Sequence, residues 1–156
     1  MMDELERSIH DALCATLAAR QDGCVVPGGG AVQLACASQL RQEAAGLARP
    51  SDAIGFEVMA QALEVLPLTI ASNGGLDGPR VLAQAKQRHC QAGGECVGID
   101  LDLGGVRDMA GEAPIVLEPS RLTKSMVAAA VRLTAQVLRI DENIMMVPRS
   151  SFKVPT

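Results

Sequence analysis

Pro27-Gly28-Gly29-Gly30 lies near the start of the chain, and no regular element passes through it. Proline has no N–H for a backbone ladder, and glycine without a Cβ is held in no single basin of φ and ψ. Before the run stands a short extended piece, Cys24-Val25-Val26. After it a helical pattern runs from Ala31 to Leu47, with Leu34, Ala35, Leu40 and Ala44 on its apolar side. A glycine run so placed lets backbone approach a ligand closely, with N–H groups at a helix N-terminus aimed at anionic oxygen. The same residues also suit a tight chain reversal, the plainer reading of the run by itself. The spacing is neither a Walker loop, since no GxxxxGK follows, nor GxGxxG, since Gln33 takes the last glycine place.

The remaining pattern is mainly helical. Asp3 as cap with Glu6 three residues on, followed by Leu5, Ile9, Ala12/Leu13 and Thr16/Leu17, predicts an amphipathic helix over 4–20 that ends at Asp22-Gly23. Ser51 after Pro50 is the expected cap of a third helix reaching about Ser72, kinked at Pro67 and closed by Asn73-Gly74-Gly75. Pro79 suits the first residue of a fourth helix ending near Gln91. From Val97 to Val116 the chain alternates and is punctuated by glycine, as in Val97-Gly98-Ile99-Asp100-Leu101-Asp102, which predicts a small β-hairpin. Pro119 is expected to open a last long helix to about Leu138, with Glu118 as its cap or first-turn acid. Ile144-Met145-Met146-Val147 reads as a terminal strand before a loose tail.

Charge and composition exclude several functions. Fourteen Lys and Arg against eighteen Asp and Glu leave a net charge of -4 with no basic block, so no nucleic-acid partner is expected. With no Trp or Tyr and only two Phe, base-stacking platforms are missing as well. Charges or Gly/Pro interrupt each apolar stretch, and Asp3, Glu4 and Glu6 do not suit a leader, so a soluble cytoplasmic protein without a membrane partner is expected. The five cysteines (Cys14, Cys24, Cys36, Cys90, Cys96) form no CxxC, and His10 and His89 complete no metal-ligand spacing. They read as small buried or partly buried side chains of a reducing compartment. Asp11, an acid in mid-helix, reads from its position alone as part of a solvated face.

Taken together, these stretches carry a resemblance. The run Asp3-Glu4-Leu5-Glu6-Arg7-Ser8-Ile9-His10-Asp11-Ala12-Leu13-Cys14 is similar to the signature near the end of the intermediate domain in group II chaperonin subunits. The likeness continues through Val26-Pro27-Gly28-Gly29-Gly30-Ala31, including the 18-residue interval from Asp11 to Gly29. Ala62-Leu63-Glu64-Val65-Leu66-Pro67, Gly98-Ile99-Asp100, Val116-Leu117-Glu118-Pro119 and Leu138-Arg139-Ile140-Asp141 follow in the family's order. The whole resembles a subunit of the eukaryotic cytosolic chaperonin (CCT/TRiC), and Leu82 to Ala110 looks most like the beta subunit, with delta next. Gln33 and Ser72 stand where the family usually has Glu, and Thr123 where it often has Lys.

The resemblance implies a mainly α fold: the C-terminal half of a chaperonin equatorial domain, with long helices, a small β-hairpin and a terminal strand, plus one intermediate-domain helix. It implies a descending helix and junction over 1–27, the equatorial half over 28–148 and a flexible tail over 149–156. It further implies that Asp11 activates the water attacking ATP, that Gly28, Gly29 and Gly30 cradle the nucleotide, that Asp100 lies beside the base, and that Glu118 reaches the ribose. Mg²⁺ would be held by residues outside this segment. Other chaperonin subunits in a double ring and unfolded polypeptides are the implied partners. The alternative is a non-catalytic helical interaction module derived from such a subunit.

Overall fold

A 21-residue helix, α1 (Met2–Asp22), opens the chain. Asp3 lies inside its first turn rather than capping it, and Asp3 and Glu4 there favour the positive end of the helix dipole. None of its residues is buried: Leu5, Ile9, Leu13 and Leu17 form a stripe more than half exposed along one side. The computed structural model describes residues 2–91, 93–142 and 144. It divides into two compact units, Met1–Arg121 and Leu122–Thr156.

Within the first unit, β1 (Val25–Pro27) leads through the glycine run into α2 (Ala31–Ala45), which turns at Gly46 into α3 (Pro50–Asn73). Arg49, not Ser51, is the N-cap of α3, because Pro50 already occupies the first helical turn. Pro67 lies inside α3 without ending it. Its ring is fully buried, and burial offsets part of the cost of the missing backbone donor. α4 (Gly78–His89) is capped by Asp77, whose carboxylate accepts the Arg80 N–H at 3.3 Å. A short 3₁₀ turn, Gly94–Cys96, then leads to the expected hairpin, β2 (Val97–Asp100) and β3 (Gly105–Asp108), antiparallel with Val97 opposite Asp108.

β4 (Leu117–Pro119) corrects the sequence expectation: Pro119 ends a strand rather than opening a helix. It pairs antiparallel with β1, in the register Val25–Pro119, Val26–Glu118 and Pro27–Leu117. α5 (Ser120–Val137) follows, and in the second unit it exposes Leu122, Val131, Leu133 and Val137. Apart from Ile144, the expected strand over Ile144–Val147 and the tail beyond it lie outside the described residues.

The core forms where α2, α3 and α4 meet β2. Ala71, Val81 and Ile99 are buried together, with Ile70, Leu76 and Val106 packed around them. Small residues at Ala31, Ala37, Ala60 and Ala85 are fully buried and allow close helix approach. By length and composition α3 is apolar enough to cross a membrane, despite its acids and Pro67. Here its buried residues Ala60, Leu63, Glu64, Pro67 and Ala71 mark it as a core helix between α2 and α4. Cys96 is half-buried as expected, whereas Cys14, Cys24, Cys36 and Cys90 depart from expectation and are exposed. They lie on or just beyond α1, on the outer side of α2 and at the end of α4, away from the packed stripes.

Candidate functional site

The glycine run joins β1 to α2 in a conformation that demands glycine. Gly29 and Gly30 have φ of 63° and 78°, in the left-handed region where a Cβ is strained, and Gly30 is the N-cap of α2. Neighbours also crowd all three α-carbons. A Cβ on Gly28 would stand 2.8 Å from Val116 Cγ1, one on Gly29 2.6 Å from Met109 Cε, and one on Gly30 2.7 Å from Pro67 Cβ. The tight reversal weighed from sequence is therefore present, packed from one side by three separate segments. Its hydrogen bonding leaves something over. The Gly28 N–H donates to Val116 O at 2.9 Å, whereas no protein acceptor among the described residues takes the N–H of Gly29 or Gly30. Two consecutive free amides at the start of a 15-residue helix suit anionic oxygen.

Glu118 belongs to this cluster, but as a strand residue rather than a helix cap. Its place opposite Val26 in the β1–β4 pair brings Oε1 to 3.3 Å from where a Gly28 Cβ would be. It is half-buried. Two residues on, the Ser120 hydroxyl is buried and has no hydrogen-bond partner among the described residues, although the Ser120 N–H donates to Cys24 O at 3.2 Å. The hairpin closes the other side. Ile99 N–H donates to Gly29 O at 2.8 Å, and Gly98 has no side chain where Gly28 O and Gly29 O approach.

Asp100 ends β2 one residue beyond Ile99, and its carboxylate is occupied. Oδ2 accepts from Arg107 Nε, and Oδ1 accepts the N–H groups of Asp102 at 2.8 Å and Leu103 at 3.2 Å. The Arg107 hydrogen bond, aided by these amides, outweighs burial and holds the carboxyl below the usual Asp range. These bonds tie the two strands of the hairpin together and close its turn. Asp108 is likewise held low by the Gly111 and Ala110 N–H groups. Asp11 is placed differently: it is exposed on α1, and among the described residues no hydrogen bond or ion pair ties it to the glycine turn. The structure brings Gly28, Gly29, Gly30 and Glu118 together, and Asp100 follows Ile99, which binds the turn.

One functional-looking cluster escaped the sequence reading. Glu64 of α3 is buried and receives Arg41 of α2 and, at 2.6 Å, Lys86 Nζ of α4. Arg41 also reaches Glu57 at 3.2 Å. Burial opposes the Glu64 charge, but the hydrogen bonds from Arg41 and Lys86 prevail and hold its carboxyl low. Glu57 and Glu64, seven residues apart in a largely apolar helix, were the available signal. Among the described residues no three potential ligands gather for a metal.

Against this geometry, comparisons with known proteins agree. A family profile described as the TCP-1/cpn60 chaperonin family matches residues 1–148. A thermosome subunit of Methanopyrus kandleri is 41% identical over 144 residues, covering 92% of this chain and 26% of that protein. The T-complex protein 1 subunit eta of Arabidopsis thaliana is 34% identical over 145 residues, again covering 92% and 26%. The chain therefore spans about a quarter of the length of these relatives. In three dimensions, the open-state monomer of a group II chaperonin from Methanococcoides burtonii superposes with a TM-score of 0.76 at 31% identity, over 88% of this chain and 33% of that one. The mainly helical fold with small sheets matches part of a chaperonin equatorial domain. Archaeal thermosomes and eukaryotic subunits both lie close, so the likeness reaches the group and not a particular subunit.

Proposed function

The chain belongs to the TCP-1/cpn60 chaperonin family, and we propose that it forms one wall of the nucleotide site in an ATP-dependent subunit that assists protein folding. The observation that carries this reading is the pair of free N–H groups on Gly29 and Gly30, with the Glu118 carboxylate beside Gly28. These groups fit a nucleotide: the amides bind anionic phosphate oxygen, and the carboxylate accepts hydrogen bonds from sugar hydroxyls. Gly28 and Gly30 shape the turn, and Asp100 holds the hairpin through Arg107 beside the base. Bound ATP would supply the γ-phosphoryl group. Asp11, reached in the assembled site, orients and deprotonates the attacking water. Mg²⁺ is assigned to residues outside this segment.

On this reading residues 1–27 form the intermediate-domain helix and junction, 28–148 the equatorial half and 149–156 the tail. Other chaperonin subunits in a double ring and unfolded polypeptides are the partners, in the cytoplasm. The finer assignment to a beta-like subunit, with delta next, rests on Leu82–Ala110 alone. The test is a titration of the ¹⁵N-labelled chain with ATP. Weak binding should move the Gly29 and Gly30 amide resonances first. Absence of any change there at millimolar ATP, with the chain folded, would overturn the nucleotide reading. Gln33 and Ser72, where the family usually has Glu, favour a second reading, a non-catalytic interaction module, for which a stable monomer indifferent to nucleotide is the expected result.

A further inference from the structure

We propose that Arg107, which the sequence did not single out, is the positioning residue of this site: its guanidinium fixes the Met109–Val116 segment, and through it Glu118, against the glycine turn. The inference rests on the nucleotide reading for its functional consequence, but the mechanical part stands on contacts alone.

Arg107 is a strand residue only 4% exposed. Its Nε donates to Asp100 at the end of β2, while Nη1 donates to Glu112 O at 2.7 Å. One planar group thus joins both strands of the hairpin to the segment that leaves it. The two ends of that segment are tied by backbone. Met109 N–H donates to Cys96 O at 3.0 Å, and Val116 N–H donates to Met109 O at 2.9 Å. Val116 O then accepts the Gly28 N–H, and β4 begins at the next residue with Glu118 in its centre. On the other side, β2 supplies the Ile99 N–H that holds Gly29 O. The two segments that hold Gly29 O and the Gly28 N–H therefore both run back to one buried guanidinium. A lysine would keep the charge but could not reproduce the fork that reaches a carboxylate and a carbonyl together.

The experiment uses the full ¹⁵N-labelled chain, the variants Arg107→Met and Arg107→Lys, and Leu63→Ala, a buried residue of α3, as a control for general loss of stability. In Arg107→Met, amide exchange at Gly28 and Val116 should rise ~10-fold or more relative to amides within α2 and α3. Arg107→Lys should fall between it and the parent. ATP affinity, read from the Gly29 and Gly30 resonances, should fall ~10-fold further in Arg107→Met than in Leu63→Ala once the two are compared at equal loss of stability. Unchanged exchange at Gly28 and Val116 in either Arg107 variant would overturn the proposal. So would an equal loss of ATP affinity in the Leu63 control. If the parent chain shows no ATP-dependent shift, the nucleotide reading fails, and the exchange measurement alone decides the role of Arg107.

Discussion

At the scale of single residues, glycines of the same chain should respond to alanine in opposite senses. Gly30 combines a left-handed φ with a Pro67 ring in the way, so Gly30→Ala should cost ~2–5 kcal/mol from backbone strain plus overpacking. Gly55 is helical and exposed, with nothing within 4 Å of a new Cβ, so Gly55→Ala should stabilise by ~0.5–1 kcal/mol. Urea midpoints that moved the same way for both would contradict this account. The glycine run was legible because its type of residue is its function: only glycine tolerates that backbone. Asp100 was legible only as a position. Its capture by Arg107, seven residues on, depends on the hairpin register, which no spacing rule supplies. Glu118 was found through resemblance, whereas its local reading as a helix cap failed because Pro119 suits a strand end as well as a helix start.

Between elements, Glu64 is the chief electrostatic link, tying α3 to α2 through Arg41 and to α4 through Lys86. Its carboxyl is held low in the folded chain, so its contribution is complete above the unfolded pKa of about 4 and is lost as pH falls through the lower folded value. Asp100 acts with the same sign. Glu64→Gln should therefore be less stable than the parent at neutral pH, by ~1–3 kcal/mol given the half-exposed partners. The gap should narrow as pH drops below the usual carboxylate range. A gap constant from neutral to acid pH, measured by urea denaturation, would remove Glu64 from this role. The helices themselves were readable, since periodicity and Gly/Pro punctuation located α1 to α4 to within a few residues. β4 was not: three residues pairing with a distant three leave no periodic trace.

At the scale of the whole molecule, the exposed stripe of Leu5, Ile9, Leu13 and Leu17 on α1 sets the behaviour in solution. Contiguous apolar faces of this kind drive association. Sedimentation velocity should show concentration-dependent self-association of the isolated chain, and a monodisperse monomer with a cooperative melt would count against it. On the proposed function, hydrolysis is a property of the full-length subunit. In a full-length chaperonin subunit carrying this segment, Asp11→Ala should leave ATP affinity largely intact while slowing single-turnover hydrolysis by ~10²–10⁴-fold, as expected for loss of a general base. Hydrolysis at the parental rate would return Asp11 to an ordinary surface acid.

The pairing of β1 with β4 also orders events in time. It closes a loop of roughly ninety residues, which sets an entropic cost that three short rungs cannot repay until the intervening helices have docked. On a ribosome the glycine turn emerges roughly ninety residues before Glu118 and waits for it. The same holds in refolding: α2, α3 and α4 can assemble from near neighbours, while the cradle comes together last. Protection of the Gly28 amide is thus a clock for completion of the fold, and a chain halted before residue 117 has its glycines but no site.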